Sequence, residues 1–205
     1  TGVMTCLTEK IDAAFFDACP TVKVVSNIAV GYNNIDVTEA SKRGVIVTNT
    51  PGVLDDTTAD LTFALLMATA RRLTETERRL RNGEWKKGFA LQQWLGTDIH
   101  HASLGIIGMG RIGQTIARRA SGFEMNVQYH NRTRLDAATE AKLNVRYASK
   151  QAVLRESDFL VVMVPYSPAT HHLIKAEDLG LMKPTAILIN TARGGVVDDA
   201  ALIAA

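Results

Sequence analysis

Gly105-Ile106-Ile107-Gly108-Met109-Gly110-Arg111-Ile112-Gly113 is the stretch that decides the fold. An apolar run, Leu104 to Ile107, reads as a strand leading into it, and Ile112 to Ala120 reads as the helix leading out. Glycines in the order G-x-G-x-x-G carry chemistry in that strand–turn–helix setting, whereas the same spacing elsewhere marks only a turn. Gly108 permits the tight turn, Gly110 leaves the backbone open to a pyrophosphate, and Gly113 lets helix and strand pack closely. The N–H groups of Arg111 and Ile112 then face an anion at the positive end of the helix.

Downstream, strand and helix patterns alternate. Asn126 to Tyr129 reads as a strand, Asp136 to Lys142 as a helix and Asn144 to Tyr147 as a strand. Lys150 to Glu156 reads as a helix, Phe159 to Val164 as a strand, Ala176 to Met182 as a helix and Ala186 to Ile189 as a strand. The second strand should end at the adenosine ribose, where NAD-selective proteins place an acid for the 2′-hydroxyl. Here the run is Tyr129-His130-Asn131-Arg132-Thr133-Arg134, with Asn131 where the acid is expected. Arg132 and Arg134 supply positive charge and Thr133 a hydroxyl, about 20 residues past the glycines. A guanidinium grips a 2′-phosphate by paired hydrogen bonds, so NADP(H) is the expected cofactor, with NAD(H) as a second substrate of the same site. Pro165, at the end of its strand, either forms an apolar rim for the adenine or simply ends the strand; the sequence leaves both open.

Upstream, Thr8 reads as the cap of a helix over Glu9 to Ala18, closed by Pro20. Val22 to Val25 reads as a strand, Ile35 to Arg43 as a helix stopped by Gly44, and Val45 to Val47 as a strand. A single long helix is expected from Thr57 to Arg81, followed by an irregular connection from Glu84 to His101. The expected fold is α/β: a Rossmann-type doubly wound parallel sheet plus part of a second, flavodoxin-like α/β substrate domain. The expected division is 1–51 for the substrate domain and 52–205 for the dinucleotide domain, crossing near Pro51-Gly52.

Bulk properties narrow the classes. A net charge of +2 is too small to suggest nucleic acid or an anionic membrane as partner. The apolar runs are too short to span a bilayer, and Asp12 and Asp17 interrupt any leader-like stretch. Cys6 and Cys19 lack metal-ligand spacing and are expected as reduced thiols of a cytoplasmic protein. The chain opens at Thr1 without Met and stops at Ala205 within a helical run, so a piece of a longer polypeptide is expected.

Two further runs sit at strand ends: Val30-Gly31-Tyr-Asn-Asn-Ile35-Asp36 and Asn190-Thr191-Ala192-Arg193-Gly194-Gly195. Together with the glycine turn, and in this order, they resemble the D-isomer-specific 2-hydroxyacid dehydrogenase family. Within it, the stretch from His100-His101 to Gly113 and the Arg-rich loop are most similar to bacterial glyoxylate/hydroxypyruvate reductases that also reduce 2-ketogluconate. The resemblance implies a small 2-oxo acid substrate, held at its carboxylate by the backbone N–H groups of Val30 and Gly31 as an anion nest. It implies that Arg193 bridges carboxylate and carbonyl and stabilises the alkoxide as hydride arrives. It implies cofactor contacts from Val164, Pro165, Thr191 and Ala192. The family's proton-donating His and its Glu partner are expected beyond residue 205, so these 205 residues alone are not expected to turn over.

The five histidines do not supply that acid. Nor is a metal site expected from His100-His101 or His171-His172, because neighbours on an extended chain point opposite ways. Two alternatives share these motifs: an NAD-linked 3-phosphoglycerate dehydrogenase, which the missing acid disfavours, and a non-catalytic NAD(P)-sensing protein like the corepressors of this fold. Family members are usually homodimers. The apolar helix Thr57 to Arg81 and Trp85 suit a dimer face or packing within one chain equally.

Overall fold

Three short strands open the chain, each followed by a helix or a turn. In a computed structural model, which describes residues 1–86, 88 and 91–205, strands β1 (Gly2–Thr5), β2 (Val24–Asn27) and β3 (Ile46–Thr48) form a parallel sheet in that order. Helix α1 (Ala13–Ala18) starts at Asp12, whose carboxylate accepts from Phe15 N. Helix α2 (Val37–Lys42) starts at Asp36, which accepts from Glu39 N. Ile11, Phe16, Val22, Val25, Ile35, Ala40 and Val45 form the core between them. These elements belong to a first unit, Thr1–Leu54 with Pro165–Ala169; Asp55–Val164 with Thr170–Ala205 form a second.

Two expectations fail here. Strand β1 was not foreseen, because it is only four residues long and is set in place by pairing with β2, register Thr5 to Asn27, a partner distant in the chain. Thr8 caps no helix. Instead Glu9 folds back, its carboxylate accepting from Cys6 N at 2.8 Å and Thr5 Oγ1 at 2.9 Å, and Asp12 takes over as cap. Those hydrogen bonds, led by that from Thr8, hold the Glu9 carboxyl down at about 2.

The second unit contains helices α3 (Asp55–Ala70) and α4 (Leu73–Arg81), then β4 (Ser103–Ile107), α5 (Arg111–Ser121), β5 (Asn126–His130), α6 (Ala137–Leu143), β6 (Val145–Tyr147), α7 (Lys150–Glu156), β7 (Phe159–Val162), α8 (Ala176–Leu179), β8 (Ile187–Asn190) and α9 (Asp199–Ala204). Its five strands are all parallel in the order β6-β5-β4-β7-β8. The chain winds outward from β4 in one direction, then returns to β7 and winds the other way. The switch between β4 and β7 opens a crevice at their carboxyl ends. Phe159 to Val162 are fully buried, as expected of a central strand covered on both faces.

Helix α3 packs on α5 and β8, burying Ala59, Phe63, Leu66 and Ala70. Phe63 stacks on Phe123 at 5.6 Å. The single helix expected over Thr57 to Arg81 is two helices, broken at Arg72, which has a left-handed φ of 53°. Thr97 N donates to the Ala70 carbonyl at 2.8 Å, and a Cβ on Gly96 would lie 2.6 Å from that oxygen. A later segment thus takes over the end of α3, and no glycine or proline at residues 71–72 announces it. The irregular connection expected at Glu84 to His101 includes Lys87, Phe89 and Ala90, which lie outside the described residues. No helix among the described residues is long and apolar enough to cross a membrane.

Candidate functional site

Register fixes the site in the second unit. Ile107 lies level with His130 on one side and Val162 on the other, and Val162 lies level with Asn190. The next residues, Asn131, Gly108, Met163 and Thr191, therefore follow along the carboxyl edge, spanning roughly 14 Å at about 4.8 Å per strand.

At the middle of that row is the glycine turn. Gly108 has φ +107°, and a Cβ there would lie 2.3 Å from the Met163 carbonyl, so neither the conformation nor the space admits a side chain. Gly113 is tight for another reason: its Cβ would lie 2.3 Å from Gly108 O. A Cβ on Gly110 would meet no atom of the described residues within 4 Å, so its exposed face is open to a ligand. No side chain caps α5, and the N–H groups of Arg111 and Ile112 find no acceptor among the described residues. An uncapped helix start beside an open glycine is a donor set that fits the pyrophosphate of a dinucleotide.

The loop after β5 is held at several points. Asn131 Oδ1 accepts from Met109 N at 2.8 Å, tying the ribose loop to the glycine turn and leaving Nδ2 as the amide's remaining donor. Tyr129 donates its hydroxyl to Glu140 at 2.7 Å and accepts from Leu135 N at 2.8 Å. Burial, reinforced by Glu140, pushes the Tyr129 phenol up to about 12. Arg134 places its fork on Glu140, with Nε at 2.9 Å and Nη2 at 2.6 Å, and its guanidinium lies 5.6 Å from the Tyr147 ring centroid. The pair of arginines expected to act together is therefore divided. Arg134 is committed to Glu140, whose carboxyl it holds below the usual range, while Arg132 and Thr133 are exposed and make no hydrogen bond or ion pair among the described residues.

The loop after β8 is built by Asn190. Its Oδ1 accepts from Ala192 N, and its Nδ2 donates to Arg193 O, both at 3.1 Å. Its role has a signal in the sequence, since an Asn at a strand end is a ready turn-former. Arg193 is half-buried, donates from Nη1 to Ala192 O at 2.8 Å, and has no acidic partner among the described residues. Residues 172–174 run beside the loop: His172 N donates to Gly195 O and Ile174 N to Val196 O, while Gly195 turns at φ +75°. The Thr191 hydroxyl has no proton to spare for a cofactor. Thr62 gives its own proton to Thr58 O, so it can only accept from Thr191 across their 2.8 Å contact. Ala192 lies between Thr191 and Arg193 in the same loop.

The histidine pairs also correct an expectation. His171 and His172 stack at 3.9 Å instead of pointing apart, because His172 is not extended but left-handed, φ 48°. His101 is likewise left-handed, φ 60°, with the His100 and His101 rings 5.0 Å apart. Among the described residues no group of three or more His, Cys, Asp or Glu could hold a metal. Val164 follows β7, close to Gly108, and Pro165 groups with the first unit.

Within the first unit, Val30 and Gly31 form a turn just beyond β2. Thr50 N donates to Ala29 O at 3.0 Å, Asn49 Nδ2 to Val30 O at 2.9 Å, and Asn27 Nδ2 to Gly31 O at 2.7 Å. The N–H groups of Val30, Gly31 and Tyr32 have no acceptor among the described residues. Gly31 is not among the glycines with positive φ, and the three N–H groups belong to consecutive residues of the turn.

Known proteins agree with this geometry. A family model for the NAD binding domain of D-isomer specific 2-hydroxyacid dehydrogenases matches residues 63–205. A glyoxylate reductase of Pyrococcus horikoshii is 53% identical over 207 residues, covering 100% of this chain and 62% of that protein. The TT0316 protein of Thermus thermophilus superposes with a TM-score of 0.90 at 41% identity, over 98% of this chain and 62% of the other. The D-lactate dehydrogenase of Aquifex aeolicus, solved with NAD and lactic acid, also gives 0.90, at 31% identity over 98% of this chain and 59% of the other. The chain thus spans about 62% of the length of the glyoxylate reductase it matches. A glycine turn at the switch of a parallel sheet, an uncapped helix behind it, and a family match over 63–205 lead to one statement: this chain belongs to the D-isomer specific 2-hydroxyacid dehydrogenases and carries their nicotinamide-dinucleotide-binding domain.

Proposed function

We propose that this chain is part of an NADPH-dependent reductase that converts small 2-oxo acids, glyoxylate and hydroxypyruvate first and 2-keto-D-gluconate next, to D-2-hydroxy acids. The observation that carries the reading is Arg193: a half-buried guanidinium at the carboxyl edge of a dinucleotide-binding sheet, with no carboxylate to neutralise it among the described residues. A permanent cation so placed suits an anionic substrate and polarises a ketone beside its carboxylate. When bound, the nicotinamide supplies the hydride. The N–H groups of Val30 and Gly31 hold the substrate carboxylate, and Arg193 stabilises the charge that develops on the carbonyl oxygen. The proton donor is assigned to the part of the protein beyond residue 205.

Preference for NADPH follows from Asn131 in place of an acid and from the unengaged Arg132 and Thr133. The outward face of α3 exposes Leu61 and Leu65, and Leu73 and Trp85 follow it, so a homodimer through this face belongs to the same proposal, as does a cytoplasmic location. The intact enzyme, given NADPH and glyoxylate, should consume NADPH, and NADH more slowly. Tight NADPH binding without turnover of any 2-oxo acid would favour a dinucleotide sensor and overturn the reading.

A further inference from the structure

Asn27 is the last residue of β2, and Asn49 is the first after β3. Ser26 pairs with Thr48, so the two asparagines follow side by side at the carboxyl ends of neighbouring strands. Both reach the same turn. Asn49 Nδ2 donates to Val30 O and Asn27 Nδ2 donates to Gly31 O; since a carbonyl only accepts, chemistry fixes which end of each amide faces the turn. A trans peptide is planar, with its N–H opposed to its C=O. Holding Val30 O therefore aims Gly31 N–H away from Asn49, and holding Gly31 O aims Tyr32 N–H away from Asn27. Thr50 N does the same for Val30 N–H through Ala29 O. Three successive N–H groups, without acceptors among the described residues, are thus turned off the strand ends by three anchored carbonyls.

Packing alone does not require an amide at residue 27. Asn27 is only 1% exposed, and its Oδ1 is buried with no partner among the described residues. Leucine is near in size and would leave no orphaned acceptor there. The position tolerates an unsatisfied oxygen while its nitrogen holds Gly31 O at 2.7 Å.

We propose that Asn27 and Asn49 are positioning residues for the substrate carboxylate: they grip the carbonyls of Gly31 and Val30 so that the N–H groups of this turn stand ready for the anion. The inference rests on the reading of that turn as the carboxylate site, and it adds Tyr32 N–H as a third donor. Such a clamp acts on ground state and transition state alike, because the carboxylate is unchanged by the reaction. Its loss raises KM and spares kcat.

The test uses the intact enzyme with Asn49→Leu and Asn27→Leu made singly, kcat being normalised to NADPH-binding stoichiometry so that misfolded molecules do not count. Each variant should raise the glyoxylate KM by about tenfold, the effect of a lost hydrogen bond in a small site, with kcat within about twofold. Inhibition by oxamate, which presents the same carboxylate, should weaken in parallel, and NADPH affinity should stay constant. Asn49 is half-buried, so its variant keeps the test alive if Asn27→Leu folds poorly. Unchanged KM and oxamate inhibition in folded variants, or a fall in kcat alone, would overturn the clamp while leaving the reductase reading intact. A wild-type enzyme that reduces no 2-oxo acid would overturn both.

Discussion

Arg132 and Arg134 look alike in sequence and are predicted to behave differently. Arg132 is exposed without a partner among the described residues, whereas Arg134 forks onto Glu140, which is 8% exposed. A charged hydrogen bond to a 2′-phosphate is worth about 1.5–3 kcal/mol. Solvent around Arg132 argues for the lower end, which is roughly tenfold in affinity. Arg132→Ala should therefore weaken adenosine 2′,5′-bisphosphate binding about tenfold, leave adenosine 5′-monophosphate unchanged, and leave the melting temperature in place. Arg134→Ala should do the reverse. Its side chain is 63% exposed, so water screens the ion pair with Glu140, and Tm should fall by roughly 2–4 °C, the size of a weak interaction in a chain of this length. Both nucleotides should then weaken together, if at all, because a loosened loop has no preference between them. Calorimetric titration of this chain with the two nucleotides, beside thermal melts, reads all four values. A selective loss of the bisphosphate in Arg134→Ala, with Arg132→Ala indifferent, would refute the assignment.

Gly110→Ala should fold with stability within about 1 kcal/mol of the parent, since its Cβ meets nothing in the protein, yet weaken NADPH and NADH equally; Gly108→Ala, pressed on Met163 O at φ +107°, should lose folded protein before binding can be asked. Melts and titrations of the two variants check the contrast. Glu9 has its carboxyl lowered to about 2, so its contribution is present above the ordinary value of 4.5 and is lost as pH falls through the lowered one. Scanning calorimetry over that acid range should show a flatter decline in Tm for Glu9→Gln, and equal slopes would remove the effect. Leu65→Glu on the outward face of α3 should convert a dimer to monomer in light scattering, with Tm of the monomer little changed; an unaltered mass would exclude that face. Arg193→Lys keeps the charge but loses the fork, and kcat for glyoxylate should fall at least about tenfold.

What the sequence shows plainly is what is decided locally. Helix α7 was legible as Lys150 to Glu156 because Ser149 caps it and Glu156 precedes the next strand's apolar run. The glycine turn was legible because missing side chains leave a mark in the sequence itself. Strand β1 was not, because its pairing partner lies more than 20 residues away. The break at Arg72 was not, because its cause, Thr97 and Gly96 against Ala70 O, arrives 25 residues later. The stacked His171-His172 pair defeated a rule for extended chain, since nothing in the sequence declares φ 48° at a histidine.

The division of labour between Arg132 and Arg134 did leave a trace. Glu140 and Leu143 are three apart on α6, and both are buried, so the acid lies on the helix's inward face. A carboxylate on a core-facing position needs a cation or several donors, because an unpaired buried charge costs far more than a surface one. The arginines nearest upstream are 132 and 134, and one of them had to be spent on Glu140 before any ligand arrived. Arg134, six residues before Glu140 and just ahead of the helix, is the one that reaches it, with Tyr129 adding a third hydrogen bond at Oε1. Arg132 sits one residue past Asn131, whose side chain is itself tied to the glycine turn, so it is carried at the row where a dinucleotide's ribose would lie. The buried acid selects which arginine stays in the protein, and by that selection leaves Arg132 as the one that the proposed NADPH preference calls on.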